Sequence, residues 1–318
     1  MSDFHPDLRK TARFLPKFTV TPRIRRFTNW LTRFRGVPKS PVVKGLIIKD
    51  VYITALDGTS SVRVRLYRPE NTAVAVPALL WLHSGGFMTG SSETGEKFNI
   101  ERAQELGIVV AAVDYRLSPD HPFPTPLDDC YAALLWLYEG AETLGVLPDK
   151  IVVGGDSAGG GLAAALAQLA HDREQVPVAF QLLIYPMLDD RTAVRTDIDT
   201  SKAVIWTAGS NAYGWSCYLG AKPGGAEVSE YAAPARRRDL SGLPPAWIGV
   251  GAFDVLHDED VLYAERLRQA GVPCELQVVE GAYHGFDVIS PKANVVQKFR
   301  ESQNATIRQA LFLDGANQ

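Results

Sequence analysis

One serine of this sequence lies in a setting suited to covalent chemistry. Ser157 is the centre of Gly155–Gly159 (Gly-Asp-Ser-Ala-Gly), between the apolar run Ile151–Val153 and the helix-like run Gly161–Leu166. A GxSxG pattern between a strand and a helix is typical of a nucleophile elbow, and the helix N-terminus favours developing negative charge. The pattern predicts Ser157 as a nucleophile, with a helix N-cap serine as the alternative. A phosphate loop is excluded because neither GxxxxGK[ST] nor GxGxxG can be placed here.

A nucleophilic serine needs a base, and three histidines follow it in the chain: His171, His257 and His284. His171 falls about four turns along the helix that Ser157 opens, so it cannot fold back. His284 comes just after the apolar run Leu276–Val279, in a loop at the carboxyl end of a predicted strand, where α/β proteins place their sites. We therefore expect His284 to be the base; the alternative is a surface-loop histidine.

The acid that would orient this base is expected between Ser157 and His284 in the chain. Asp254 directly follows the apolar strand Trp247–Val250, so its carboxylate is predicted at the edge of the sheet. Asp258 and Glu259 are instead typical of the first turn of the next helix, where negative charge is favoured. Asp254 is the predicted acid, and a turn or N-cap aspartate is the alternative.

A glycine-containing loop supplies the fourth element. Gly85 and Gly86 lie in Leu82–Phe87 (Leu-His-Ser-Gly-Gly-Phe), after the apolar run Ala78–Leu82. Backbone N–H groups of such a loop, together with that of Ala158, would form an oxyanion hole beside the serine. An ordinary glycine turn is the alternative for the loop taken alone.

Strands and helices alternate along most of the chain. The continuously apolar runs are typical of parallel strands covered on both faces, and helix-like segments separate them. The first two strand-like segments, Gly45–Ala55 and Ser61–Tyr67, instead alternate in polarity around an Asp57-Gly58 turn. We expect this pair to be antiparallel and half-exposed, with Arg63 and Arg65 on the outer face. The pattern predicts an α/β fold with a mostly parallel sheet of about eight strands and an antiparallel edge. The apolar runs are Ala78–Leu82, Ile108–Val113, Ile151–Val153, Phe180–Tyr185, Trp247–Val250 and Leu276–Val279, and the helical segments are Gly95–Leu106, Pro126–Leu144, Ser157–His171, Asp258–Gln269 and Ala293–Leu311.

The chain of 318 residues suggests about two domains, or one large α/β domain with an appendage. Residues 188–238 contain no apolar strand pattern, and a long insertion after a sheet strand is usually a lid or cap. We predict a cap made of residues 1–44 and 188–238, over a catalytic core of residues 45–187 and 239–318.

Composition excludes several protein classes. With 46% hydrophobic and 22% charged residues, the chain is neither disordered nor a coiled coil. No apolar run approaches the ~18 residues of a membrane span, and no signal core follows Met1, so a cytoplasmic location is expected. Three dispersed cysteines predict neither a disulfide framework nor a zinc site.

The charge is uneven along the chain. Residues 1–40 hold ten Lys and Arg against two Asp, a net +8, although the whole chain carries −3. A basic amphipathic segment is compatible with a membrane surface or an anionic partner. The alternative, which the helix-like spacing favours, is a solvated helical face whose apolar residues dock on the body. Those apolar residues are Phe14, Leu15, Phe18, Ile24, Phe27, Trp30, Leu31 and Phe34.

The sequence resembles the hormone-sensitive-lipase-like family of carboxylesterases (bacterial family IV), which has the α/β-hydrolase fold. The resemblance spans residues 45 to 311. Its motifs are His83–Gly86, Asp114–Pro124, Gly155–Gly159, Asp254–Glu259 and His284–Phe286. It implies Ser157 as nucleophile, Asp254 as acid, His284 as base, and Gly85, Gly86 and Ala158 as oxyanion donors. It also implies a cap and frequent dimerisation. Ser84 departs from the family's His-Gly-Gly-Gly, Asp120 replaces the commoner glutamate, and Val255 and His257 replace a usual proline and arginine.

The predicted function is a serine carboxylesterase that needs no metal or organic cofactor. The resemblance implies short- to medium-chain acyl esters; amides, lactones or carbamates are the alternative substrates, and a non-catalytic small-molecule receptor is the remote alternative. Phe87, Trp206, Trp215 and Phe286 are candidate walls of an acyl pocket, with the aromatic core of the cap as the equal alternative. The expected partners are a small-molecule ester and a second copy in a homodimer, with no nucleic acid and no stable membrane insertion.

Overall fold

The computed structural model describes residues 3–17, 19–70 and 74–312. Phe18 and the ends of the predicted outer segments, residues 1–2 and 313–318, lie outside the described residues. The strands are β1 Leu46–Thr54, β2 Ser61–Pro69, β3 Val76–Leu82, β4 Val109–Asp114, β5 Val146–Asp156, β6 Phe180–Ile184, β7 Ala246–Gly251 and β8 Cys274–Val279. The helices are α1 Arg9–Ala12, α2 Pro22–Arg35, α3 Glu96–Leu106, α4 Thr125–Glu139, α5 Ala141–Leu144, α6 Ala158–Arg173, α7 Ala208–Leu219, α8 His257–Gln269, α9 Phe286–Ile289 and α10 Asn294–Phe312.

The described strands form one eight-stranded sheet in the order β1-β2-β4-β3-β5-β6-β7-β8. β2 is antiparallel to both β1 and β4, and every later pair is parallel. The predicted fold class, strand number and antiparallel edge are confirmed. The parallel strands end at the same edge of the sheet, so loops following β3, β5, β7 and β8 approach one another there.

Helices cover both faces of the sheet. Alternate residues of each central strand point to opposite sides: Leu80 and Val153 belong to one buried cluster, while Leu79 and Val152 belong to the other. The first cluster includes α4 and α6, and the second includes α3 and α10. This explains why the central strands are apolar throughout and why they could be located from sequence. The predicted helix Pro126–Leu144 is divided at Gly140 into α4 and α5.

The expectation that β2 is half-exposed is wrong. Arg63 is buried and Arg65 is 0% exposed, because the outer face of this strand is covered by acidic side chains from other elements. The guanidinium of Arg65 contacts the carboxylate of Asp50 at 2.7 Å and that of Glu96 at 2.9 Å. Arg63 contacts Glu93 at 2.5 Å. Both arginines are therefore held in a buried ionic network.

The expectation that the apolar residues of the N-terminal segment dock on the body is wrong for most of them. Phe14, Ile24, Phe27, Trp30 and Phe34 are exposed. Leu15 does pack against the body, and so do three earlier residues in and before α1: Phe4, Leu8 and Ala12.

Residues 188–238 contain α7 and two short 3-10 turns, at Asp190–Val194 and Pro234–Arg236, and no strand. The N-terminal segment touches them at several points. The Val20 N–H donates to Ser210 Oγ at 2.9 Å, and the Lys17 ammonium donates to the Ser201 carbonyl.

Candidate active site

Ser157 occupies a sharp turn between β5 and α6. Its φ is +56° and ψ is −119°, a conformation that non-glycine residues rarely adopt. Its backbone N–H donates to the Ile184 carbonyl of β6 at 2.9 Å, which holds the turn against the neighbouring strand. The flanking glycines are required: a Cβ at Gly155 would lie 2.4 Å from the backbone of Gly159, and one at Gly159 would lie 2.0 Å from the Leu82 carbonyl oxygen.

Ser157, His284 and Asp254, which the sequence analysis selected, lie in one row. The Nε2 atom of His284 is 3.0 Å from Ser157 Oγ, and its Nδ1 atom is 2.6 Å from the Asp254 carboxylate. The Leu256 N–H donates to the other carboxylate oxygen of Asp254 at 3.0 Å. Ser157 is only 2% exposed and His284 only 7% exposed, so the row is largely shielded from water.

The three residues come from loops at one edge of the sheet. Ser157 follows β5, Asp254 follows β7 by three residues, and His284 follows β8 by five. The other downstream histidines lie elsewhere. His171 packs beside Gly242, where an added Cβ would contact its ring at 2.8 Å, and His257 lies beside Asp258.

The loop after β3 is held by aromatic packing and hydrogen bonds. The His83 ring stacks on Tyr115 at 4.2 Å, and the Tyr115 hydroxyl donates to the His83 carbonyl at 2.7 Å. Burial lowers the pKa of His83, so its imidazole is neutral. Gly85 and Gly86 both have positive φ, +125° and +61°. His83 and Tyr115 therefore support the loop.

Ser84, the departure from the family's glycine pattern, contacts the residue before the nucleophile. Burial raises the pKa of Asp156 to about 6, and the charge of Asp287 adds to the increase. The hydroxyl of Ser84 and the positive charge of Arg102 oppose it. Ser84 and Asp156 also border a cavity of about 410 Å³ between α3 and α10. In the sequence, Ser84 was noticeable only because it departs from the family's glycine pattern. Nothing in the sequence indicated that its partner is Asp156.

Sequence reasoning missed Tyr185, which follows β6. Its ring centroid lies 4.7 Å from that of His284, and its hydroxyl donates to the Asp287 carboxylate at 2.8 Å. Tyr185 thus packs against the imidazole from the carboxyl end of β6. The sequence analysis had placed Tyr185 inside the apolar run Phe180–Tyr185, whereas the strand ends at Ile184 and Tyr185 follows it.

The four candidate pocket aromatics have separate locations. Trp206 lies beside the row, with its ring 6.0 Å from that of His284. Phe87 and Trp215 are fully buried and pack with Tyr218, so they belong to the hydrophobic core. Phe286 is fully buried against Phe299 on the other side of the sheet. The burial of Phe87, Trp215 and Phe286 favours the alternative, in which these three side chains pack in the core and do not line an acyl pocket.

Among residues 3–17, 19–70 and 74–312, no group of three or more His, Cys, Asp or Glu side chains is placed to hold a metal ion. Each described helix is too short or too polar to cross a bilayer.

The chain is similar to known proteins in both sequence and fold. A family profile described as alpha/beta hydrolase fold matches residues 79–288. The chain is 35% identical over 262 residues to Esterase LipI of Mycobacterium tuberculosis, covering 80% of this chain and 79% of LipI. It is 38% identical over 253 residues to Ethyl acetate hydrolase of Pseudomonas putida, covering 75% of each chain. The solved structure of Bacterial Heroin Esterase superposes with a TM-score of 0.88 at 39% identity, covering 98% of both chains.

Proposed function

The chain belongs to the α/β-hydrolase family, in its hormone-sensitive-lipase-like branch, and is a carboxylic ester hydrolase; from that premise we propose that Ser157, His284 and Asp254 hydrolyse esters through an acyl-enzyme. The observation that carries the proposal is the unbroken row of contacts, 3.0 Å from Ser157 Oγ to His284 Nε2 and 2.6 Å from His284 Nδ1 to Asp254. A nucleophile, a base and an orienting acid in contact are the requirement for serine acyl transfer.

In the first step, Ser157 Oγ attacks the ester carbonyl while His284 Nε2 accepts the hydroxyl proton of Ser157. Asp254 accepts a hydrogen bond from His284 Nδ1–H, which leaves Nε2 free to act as the base and stabilises the imidazolium that forms. The imidazolium then protonates the departing alkoxide, and the alcohol leaves. His284 then deprotonates a water molecule, which attacks the carbonyl of the acyl-serine and forms a tetrahedral intermediate. When this intermediate collapses, the imidazolium returns the proton to Ser157 Oγ, and the carboxylic acid is released.

Gly85, Gly86 and Ala158 are the proposed oxyanion donors. Ala158 is the first residue of α6, so its N–H belongs to the group of helix N-terminal donors without an intrahelical partner. The positive φ of both glycines and the support of the loop by Tyr115 favour a preformed arrangement. Each such donor contributes on the order of 3 kcal/mol to transition-state stabilisation.

We further propose that residues 1–44 and 188–238 form a cap over the core of residues 45–187 and 239–318. The contacts of Lys17 with Ser201 and of Val20 with Ser210 join the two cap segments. Trp206 from the second segment approaches His284 in the site. The cap therefore supplies one wall of the substrate site.

Short- to medium-chain acyl esters are the proposed substrates. The 2% exposure of Ser157 and the indole of Trp206, 6.0 Å from the imidazole of His284, support a small acyl group. Similarity to an ethyl acetate hydrolase supports a short ester. A homodimer and a cytoplasmic location stay predictions. A panel of p-nitrophenyl esters of increasing acyl length, with matching p-nitroanilides, tests both chain length and the preference for an ester over an amide.

Labelling with a fluorophosphonate, followed by peptide mapping, tests the nucleophile. We expect the label on Ser157, and we expect Ser157→Ala to lose labelling and at least about a thousandfold in turnover while it keeps the circular dichroism spectrum of the parent. Ser241→Ala, at an exposed loop serine, is the matched control and should keep both. Label on another serine, or near-normal turnover in Ser157→Ala, would refute the assignment.

A further inference from the structure

Helix α2 presents an apolar stripe to solvent. Phe27, Trp30 and Phe34 are 63%, 57% and 76% exposed, and Ile24 extends the stripe towards the start of the helix. Their rings form a continuous stack, with centroids 6.1 Å apart from Phe27 to Trp30 and 5.5 Å apart from Trp30 to Phe34. Scattered exposed apolar residues are ordinary on protein surfaces, but a contiguous patch of large aromatics marks a binding surface.

Contacts on the opposite side of the helix fix this orientation. Arg25 is buried and pairs with Asp120 at 3.9 Å, and Asn29 Nδ2 donates to the Met88 carbonyl at 2.9 Å. Residues 25 and 29 are four apart and therefore share one face of the helix. Successive residues are separated by about 100°, so the stripe at positions 27, 30 and 34 falls on the far side. The helix attaches to the body through its polar face.

The charge of the segment indicates what covers the stripe. Helix α2 contains five arginines and no acidic residue, within a segment of net charge +8. Arg23, Arg26 and Arg35 of this helix are exposed. A second copy docked helix to helix would bring two such segments together with no acid in either helix to neutralise them. An anionic bilayer surface accommodates both features, since it attracts arginine and takes up aromatic side chains at its interface.

We propose that α2 is a peripheral docking helix that lies on anionic phospholipid membranes, with Phe27, Trp30 and Phe34 among the headgroups and its exposed arginines against lipid phosphates. At 14 residues the helix is about 21 Å long, enough to lie along an interface and too short to span one. The binding is reversible and leaves the fold unchanged. It does not depend on the catalytic assignment, because none of these side chains belongs to the proposed triad.

The test is co-sedimentation of the full chain with vesicles. The vesicles contain about 70% phosphatidylcholine and about 30% phosphatidylglycerol, and pure phosphatidylcholine vesicles serve as the comparison. We expect binding to the anionic vesicles only. The triple variant Phe27→Ser, Trp30→Ser, Phe34→Ser should lower the partition coefficient at least about tenfold, and about 0.5 M NaCl should lower it for the parent.

A matched control replaces three exposed apolar side chains elsewhere: Tyr52→Ser, Val194→Ser and Leu262→Ser. It should bind as the parent does, and both triple variants should keep the parent's circular dichroism spectrum. Ser157→Ala should also bind normally, so failure of the catalytic proposal would be distinguishable from failure of this one. A parent that stays in the supernatant, or a stripe variant that binds as well as the parent, would overturn the proposal. Sedimentation equilibrium showing a dimer that the stripe variant dissolves, without vesicle binding, would assign the stripe to self-association instead.

Discussion

The indole of Trp206 fills the space that a side chain on Gly86 would need. A Cβ at Gly86 would lie 2.4 Å from the Cη2 atom of the indole. The same indole lies 6.0 Å from the imidazole of His284. The loop after β3, the segment after β6 and the histidine loop after β8 thus meet at one aromatic side chain.

This contact predicts that Gly86→Ala impairs catalysis. The new methyl group would displace Trp206 and would strain a backbone with φ of +61°. We expect kcat/KM for a p-nitrophenyl ester to fall at least about tenfold, through misplacement of a proposed oxyanion donor. Gly107→Ala is the control: its φ is +66°, but no heavy atom lies within 4 Å of the added Cβ. Equal activity losses in the two variants would show that backbone strain alone is responsible.

The role of Asp254 is tested by Asp254→Asn. The amide keeps the shape of the side chain but cannot stabilise an imidazolium on His284, so we expect kcat to fall by about ten-thousandfold with little change in KM. Stopped-flow or steady-state assays with a p-nitrophenyl ester measure this. Asp258→Asn, four residues later in the first turn of α8, should retain activity. A severe loss in Asp258→Asn with an active Asp254→Asn would reverse the assignment of the acid.

Asp156 makes stability depend on pH. Because its pKa is raised from 3.8 to about 6 in the folded protein, the folded state binds the proton more tightly than the unfolded state. The stabilisation is fully present below pH 3.8 and is lost as the pH rises through about 6, at roughly 1.4 kcal/mol per pH unit in between. Urea unfolding across this range should show Asp156→Asn gaining stability relative to the parent as the pH rises.

Ser84→Gly should raise the pH range over which Asp156 changes the stability, since the hydroxyl of Ser84 lowers the pKa of Asp156. The difference between Ser84→Gly and the double variant with Asp156→Asn isolates the effect. A difference between the parent and Asp156→Asn that stays constant from about pH 4 to about pH 7 would contradict the raised pKa.

The buried network on β2 predicts a large stability effect. Arg65 is fully buried among Asp50 and Glu96, so Arg65→Met would remove the guanidinium that contacts both carboxylates. We expect urea unfolding at pH 7 to show a loss of about 3–5 kcal/mol. Arg68→Met, three residues along the same strand at a half-buried position, should lose less than about 1 kcal/mol. Similar losses would mean that the network contributes no more than an ordinary surface arginine.

The sheet and the triad candidates were predictable because each rests on local sequence. Apolar runs located the parallel strands, and a polar residue just beyond a run marks the edge where catalytic groups lie. Asp254 and His284 were found in this way, each just beyond its run. Their distances to one another depend on strand order, which the pattern did not contain.

The sequence predictions that the structure contradicts concern the direction in which a side chain points. The spacing of Phe27, Trp30 and Phe34 indicated a helical stripe, but periodicity does not tell which side of the helix faces the body. That side was decided by Arg25 and Asn29, whose partners Asp120 and Met88 are distant in the chain. The buried arginines of β2 were misread for the same reason, because their acidic partners come from other elements.

The pocket aromatics show a related difficulty. Phe286 lies two residues after His284, yet its ring packs against Phe299 in the hydrophobic core. Nearness in sequence to a catalytic residue therefore did not predict nearness of the side chain. Of the four candidate pocket aromatics, Trp206 is the one whose ring lies beside that of His284, although it is far from the triad in sequence.

The position of β6 within the sheet has an evolutionary consequence. It lies between β5 and β7, yet no member of the proposed triad follows it directly; instead it leads into residues 185–245, an excursion that returns at β7. Both ends of this excursion are anchored in neighbouring strands, so its length and content can change away from Tyr185 and Trp206 without shifting the hydrolytic residues. Recombination or directed evolution confined to this module should therefore alter which molecules are accepted while leaving the bond-breaking apparatus intact.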